Sequence, residues 1–424
     1  MIRLSLFLPF LYNFAPKYLQ VMNRLKKENE YISTLLAFAL VPISGFAMDV
    51  YLPSFPKMAT ALNASAADIK LTLTIFLVSY GLSQLFVGSI SDSFGRYRLT
   101  VFSLIIFILT CVGIVATHDL HLIIALRFIQ GIAISLIVVC KRAFFIDVYE
   151  GNKRKHYTSM LTVVWSTAPI IAPFLGGFLQ NSFGWQSNFY FLGLYGLIML
   201  LLELRYSGET IIHKQPFRFS DNFAVYKNLL QSTDFSLGII VLGLSYSMVM
   251  IFGMSIPFIV EDVYRLSPLY SGYCALISGV AIFCGGLYSK TLLHKPVYKK
   301  LQLANTCQLF IVTVMLTTAV YFTQLLQMMV FVFLIHFWQG FTYNTYFTYS
   351  LTRHPKYAAT SSGLASGGSY IVFSMASYLV ANVISIQNQW TLGISYLIFI
   401  LAIQCLLFFV KAKLNAFESS RAEE

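Results

Sequence analysis

The chain has 424 residues, of which 57% are hydrophobic and only 11% charged, with a formal net charge of +12. Soluble domains carry nearer a quarter charged residues, so this composition cannot clothe a water-facing surface, and lipid must be part of the solvent. The positive balance does not mark a nucleic-acid partner, because the basic residues fall between apolar runs, and the six cysteines lie inside such runs without metal-ligand spacing.

Taken in chain order, residues 1–21 hold a short apolar run with no small-residue cleavage site before a soluble domain, so they do not read as a signal peptide. They read as an extension upstream of a start at Met22, or alternatively as an interfacial helix on the cytoplasmic face. Residues 1–30 are then a cytoplasmic N-terminal segment. A spanning helix needs roughly 20 apolar residues, and twelve such runs follow. The first six cover 31–55, 69–91, 99–117, 122–144, 157–180 and 188–206, one bundle over 31–206. Residues 207–234 form the longest polar stretch, a cytoplasmic linker. The second six cover 235–260, 270–292, 300–323, 325–350, 358–385 and 390–410, a bundle over 235–410 ahead of a cytoplasmic tail, 411–424. The expected fold is an all-α polytopic membrane protein with twelve transmembrane helices in two six-helix bundles.

Most Lys and Arg residues fall in alternate loops. Arg96 and Arg98 follow span two, Lys153 to Lys155 follow span four, and Arg353 and Lys356 follow span ten. The positive-inside rule therefore places both termini in the cytoplasm and requires an even number of spans. A faint echo at an offset of 198 residues, Gly88 and Asp92 against Gly286 and Lys290, agrees with two related halves.

A charge inside the bilayer is expensive and is a functional candidate. Asp49 lies in span one, within AMDVYLPSFP, and Arg127 in span four, within RFIQG. The bland alternatives are a helix-end carboxylate and a snorkelling arginine. Desolvation raises a carboxylate pKa and a nearby arginine lowers it, so an approach of Arg127 to Asp49 could switch a proton on or off. After span two the chain reads GSISDSFGRYR, where Gly88 suits close helix approach, Gly95 a tight turn, Asp92 a helix N-terminus or cation, and Arg96 a carboxylate. In span five, Pro169 and Pro173 should bend the helix, and Gly176 and Gly177 should admit a close neighbour. Span ten is unusually polar, with His336, Gln339, Tyr343 and Asn344, as a wet cavity wall or as helix–helix hydrogen bonding would require. Tyr51 and Gln84 join these four as candidate substrate-cavity residues. There is no HExxH, GxSxG in context or P-loop, which argues against an enzyme and against an ATP-driven pump.

These residues together resemble the major facilitator superfamily. Gly88, Asp92, Gly95 and Arg96 match its signature after helix two, Arg127 to Gly131 its helix-four motif, and Pro169, Pro173, Gly176 and Gly177 its antiporter motif. Asp49-Val50-Tyr51-Leu52-Pro53 with Pro56 is similar to the D-x-Y-L-P-x-x-P signature of the bicyclomycin-resistance (Bcr/CflA) drug:proton antiporters, as is Arg142-Ala143 followed by Asp147. The chain departs from that pattern at Ile146, Gln186, Tyr343 and Ser207-Gly208-Glu209-Thr210. The resemblance implies a monomeric secondary transporter of the bacterial inner membrane. It would need no cofactor beyond a proton gradient, its partners being lipid, protons and a small organic solute such as a drug or siderophore. Asp49 and Arg127 would couple the proton, and Gly88, Asp92, Gly95, Arg96, Arg142 and Asp147 would form a cytoplasmic gate. In that gate Arg96 would approach Asp147 at the inner end of span four in the outward-facing state, and Asp92 would face the start of span eleven near residues 358–362. An importer or symporter on the same fold is the alternative, and a membrane-embedded enzyme the more distant one.

Overall fold

A computed structural model of the chain describes residues 24–211, 219–292, 295–321, 324–353 and 358–422; the expectations for residues 1–21 and for the start at Met22 lie outside them. Among the described residues, eleven segments are long and apolar enough to cross a bilayer. The first half contains α1 (Lys27–Ala61), α2 (Ala66–Phe94), α3 (Arg96–Ala116), α4 (Leu120–Val148) and α6 (Gln186–Tyr206). Between the last two lies α5 (Gly151–Phe183), 33 residues and about 50 Å long, which completes the six. The second half contains α7 (Thr233–Phe258, continued by a π-helical turn Ile259–Val263), α8 (Pro268–Thr291), α9 (Val297–Thr318), α10 (Leu325–Arg353), α11 (Ala358–Val383) and α12 (Gln389–Ala422). A linker helix, Phe219–Gln231, joins the halves.

Helices are the only spanning form open to this chain short of a closed barrel, because lipid offers no partner to backbone N–H and C=O groups. Large apolar side chains accordingly face outward, with Leu109, Phe310 and Phe408 all more than half exposed. The helices outrun the apolar runs at their charged ends. Thus α4 continues to Val148, beyond the end expected at 144, and so carries Asp147 on its last turn after Lys141 and Arg142.

Two helix pairs join the halves along their length, α2 with α11 and α5 with α8. Both seams run on glycine. A Cβ on Gly81 would lie 2.7 Å from the Gly367 carbonyl oxygen, and one on Gly367 would lie 2.6 Å from that of Gly81. Across the other seam, Gly177 meets Pro268 and Leu269, Gly272 meets Pro173 and Phe174, and Gly279 meets Ile170. Small residues allow such close backbone approach, which is how helices associate in a solvent as apolar as themselves. Pro169 and Pro173 lie inside a helix that continues through both.

Candidate functional site

The first span is not one straight helix. Its initial segment ends at Leu40, Pro42 supplies no N–H, and a second segment runs Ile43–Asp49. A short 3-10 segment, Leu52–Ser54, follows before Phe55–Ala61. Asp49 sits at the second break. It is 3% exposed, and its Oδ2 has no hydrogen-bond partner. The antiporter motif holds this break in place: a Cβ on Gly176 would stand 1.6 Å from the Val50 carbonyl oxygen, and Gly45 packs on Ala168. The α5 helix is therefore wedged between α1 on one side and α8 on the other.

Arg127 is fully buried, but it does not meet Asp49. Its Nη1 donates to Gln130 Oε1 (2.5 Å) and its Nη2 to the Ala47 carbonyl (3.1 Å). Its guanidinium lies over three rings, Tyr51 at 4.1 Å, Phe76 at 4.5 Å and Phe189 at 5.8 Å. The anticipated partner carboxylate is replaced by aromatic faces, which attract a cation through their quadrupole without themselves carrying charge. Tyr51 is consequently part of this arginine cage, its hydroxyl 3.3 Å from Thr72 Oγ1.

At the basic end, Arg96 joins Asp147 (2.5 Å) and Asp92 (3.1 Å). Gly95 takes φ +97°, a conformation that needs glycine, and so turns α2 into α3. Gly88 has nothing within 4 Å of where a Cβ would stand, so no helix approaches it closely here. Arg142 lies outside this cluster. Sequence reading missed Glu209, whose Oε1 accepts from the backbone N–H groups of Arg96 (3.0 Å), Thr210 (3.1 Å) and Ile211 (3.3 Å). Thr210 also donates to Asp147 Oδ2 (2.8 Å). A carboxylate just past an apolar run, close to a helix N-terminus in another loop, was the available signal. Lys141, near the basic end of α4, is buried against Glu203 (2.7 Å). In the second half, Asp234 receives Arg353 (3.0 Å) and the Tyr349 hydroxyl (2.6 Å).

The polar face of α10 divides. His336 lies inside the second bundle, its ring nitrogens bonded to Ser278 (2.7 Å) and Tyr396 (3.1 Å). Asn344 donates to the Gly286 carbonyl (2.8 Å) and Ser289 Oγ (2.6 Å), tying α10 to α8. Both residues therefore make helix–helix hydrogen bonds. Gln339 is fully buried with both side-chain polar atoms unpartnered. Gln84 is at the α2–α11 seam, its Cβ 3.3 Å from where a Gly367 Cβ would stand.

Tyr343 belongs to an aromatic cluster at the junction of the halves. Tyr246 contacts Tyr343 (ring centroids 5.7 Å) and Phe373 (4.8 Å), Phe373 contacts Tyr370 (4.9 Å), and Tyr370 contacts Tyr80 (4.8 Å). Four helices, α2, α7, α10 and α11, supply these rings. Apart from Tyr343 on the polar span ten, tyrosines flanked by Ser or Gly inside apolar spans, as in LSYSM and GGSYI, were the sequence trace of this cluster.

The end opposite the basic loops is held shut between the halves. Leu52 packs on Gly253, Phe55 faces Phe258 (6.4 Å), and Lys57 pairs with Glu261 (3.8 Å). A cavity of about 710 Å³ lies there, lined by Lys57, Thr60, Phe258, Glu261, Asp262 and Arg265 among others. Among the described ion pairs, Lys57–Glu261 crosses between halves, whereas Arg96–Asp147, Lys141–Glu203 and Arg353–Asp234 each stay within one.

Comparison with known proteins places this geometry. Residues 37–377 match the family model described as Major Facilitator Superfamily. The chain is 27% identical over 366 residues to the uncharacterized MFS-type transporter YdgK of Bacillus subtilis, covering 84% of this chain and 90% of that one. It is 33% identical to the bicyclomycin resistance protein homolog of Haemophilus influenzae over 46% of this chain and 48% of that protein. It is 27% identical to the multidrug resistance protein MdtL of Escherichia coli O157:H7 over 58% of this chain and 63% of that protein. Among solved structures, the nucleoside transporter NupG superposes with a TM-score of 0.65 at 14% identity, covering 91% of this chain and 99% of that one. The human organic anion transporter MFSD10 gives 0.57 at 15% identity, covering 89% and 97%. At these identities the two structures speak for the fold alone.

Proposed function

This chain belongs to the Major Facilitator Superfamily and is a multi-pass membrane transporter rather than an enzyme, and we propose that it exports a small organic solute in exchange for protons. Export would proceed by alternating access, as a monomer in the bacterial inner membrane with both termini cytoplasmic. The basic end then faces the cytoplasm, as the distribution of Lys and Arg requires. The Lys57–Glu261 end faces outward and is closed in this state.

The observation that carries the reading is Asp49. It is a buried carboxylate with an unpartnered oxygen, set at a helix break just before the Leu52–Ser54 turn that meets α7 of the other half. Such a group tolerates burial by taking a proton, and it releases that proton when a hydrated path or a donor reaches it. Protons arriving from outside would neutralise Asp49. Solute entering from the cytoplasm would occupy the neighbouring aromatic cluster and favour proton release inward. Arg96, Asp92 and Asp147, clamped by Glu209, would form the cytoplasmic gate, and rocking would proceed about the glycine seams. The names of two relatives, a bicyclomycin resistance protein homolog and a multidrug resistance protein, support efflux of an organic molecule.

Untargeted profiling of medium from deletion and overexpressing cells would identify the exported solute. Added to respiring everted vesicles, that solute should dissipate the pH gradient in vesicles with the transporter and not in vesicles without it. A solute that accumulates in the medium yet leaves the gradient unchanged would remove proton exchange from the account.

A further inference from the structure

At the outer closure, Glu261 is held unevenly. It sits on the π-helical turn Ile259–Val263, which follows Pro257 in α7 and in which the Tyr264 N–H donates to the Ile259 carbonyl (3.0 Å). Its side chain is 7% exposed, whereas that of Lys57, its partner from the first half, is 59% exposed and stands 3.8 Å away. Lys57 faces Oε2, and Oε1 is buried with no hydrogen-bond partner. Three residues earlier, Phe258 meets Phe55 (6.4 Å) and the buried ammonium of Lys70 (5.5 Å from the ring centroid), both from the first half. The other charged residues lining the cavity, Asp262 and Arg265, are exposed. An ion pair with one exposed partner contributes little, while a carboxylate oxygen stripped of water and left without a donor is costly for as long as it carries charge. Such a group is buried most easily as the neutral acid.

We propose that Glu261 is a second proton site, filled from the outside through the cavity, and that taking this proton lets the outer end close. The inference rests on the proposed reading of proton exchange, and it gives the external proton a role in the return half of the cycle. Once solute has left, the open outer end exposes Glu261 to water as the carboxylate. A proton arriving from outside neutralises it, and the halves close over the neutral side chain. That proton returns to the same side when the end next opens, so Glu261 times the closure while Asp49 carries the proton across. A latch held by the Lys57–Glu261 attraction would act with the opposite sign, closing while Glu261 is charged and opening in acid.

Spin labels on Thr60→Cys and Val263→Cys, exposed positions on the two sides of the closure, report its width as a distance distribution. The full-length protein in detergent carries Asp49→Asn in every arm, which keeps that carboxyl out of the titration. Cys284→Ser, Cys307→Ser and Cys405→Ser remove the cysteines that are not fully buried. Between about pH 8 and about pH 5, where lysines keep their charge, the ratio of short to long distances should rise as the pH falls, by up to about tenfold per unit, the limit for one proton. Glu261→Gln, neutral and of nearly the same shape, should hold the short distance throughout, every other titrating group being common to the two proteins. Lys57→Met should keep the response and move it to higher pH, because the carboxylate loses its ion-pair partner. Opening in acid, or opening by Glu261→Gln, would overturn the proposal in favour of the ion-pair latch. A pH response that is absent with Glu261 in place, or that persists in Glu261→Gln, would overturn it outright. No gradient or solute is present, so loss of proton exchange in vesicles leaves this result standing, and failure here leaves proton exchange through Asp49 standing.

Discussion

Arg127 shows how one side chain is held without a counter-ion. Stripping water from a guanidinium is costly, and here the compensation is two hydrogen bonds and three ring faces rather than a carboxylate. A lysine carries the same charge but cannot donate to Gln130 and Ala47 at once while lying flat on Tyr51. Arg127→Lys should therefore behave like Arg127→Gln, with a melting temperature in detergent several degrees below wild type and transport reduced for both. Recovery of stability and transport by the lysine variant would mean that a point charge acting on Asp49 suffices, and the cage would lose its significance. The same contrast explains why sequence paired Arg127 with Asp49. Both charges are visible in the apolar runs, whereas the rings that intervene come from α1, α2 and α6 and announce nothing in their own segments.

At the scale of helices, the glycines separate into those that are filled and those that are open. Gly176 lies against the Val50 carbonyl, so even a methyl group there must displace the broken segment that carries Asp49. Gly88 belongs to an equally recognisable motif but has open space where its side chain would be. Gly176→Ala is expected to lower the melting temperature markedly, because overpacking a tight contact costs about 1–3 kcal/mol. Gly88→Ala should leave it within a degree or so of wild type, since a Gly→Ala change inside a helix is if anything favourable. Thermal unfolding of the two variants side by side decides the matter; equal destabilisation would mean that the packing at Val50 is not what the Gly176 position protects. Sequence spacing could place both residues on helices, but which helix each glycine meets is a property of the assembled bundles.

For the whole molecule, the apolar runs and alternating basic loops were enough to read a polytopic helical protein of two six-helix bundles. Lipid permits few other solutions, and each span is written locally in about 20 residues. The turn at Gly95 was legible for the same reason, being a local demand on the backbone. The contents of the interior were less legible. His336 and Asn344 bond α10 to α12 and α8, and nothing in the spacing separates that need from a wet wall. Tyr246, Tyr343, Tyr370 and Phe373 come together when three helices of the second bundle pack, and Tyr80 joins them when the bundles dock, so no window of sequence shows them as a set. Glu209 likewise acts across a separation of 113 residues, on the N-terminus of α3.

The central claim is that Asp49, at the junction of the two bundles, carries the proton that drives export. Asp49→Asn fixes the side chain in a neutral form of nearly the same shape, so the fold and the substrate site should persist while the proton cycle stops. The decisive measurement is accumulation of the exported solute by proteoliposomes under an imposed pH gradient, with wild type and Asp49→Asn reconstituted at matched density. Wild type should concentrate solute against its gradient, and the variant should allow only downhill exchange. Uphill accumulation by Asp49→Asn would contradict the account and move the coupling away from this carboxylate.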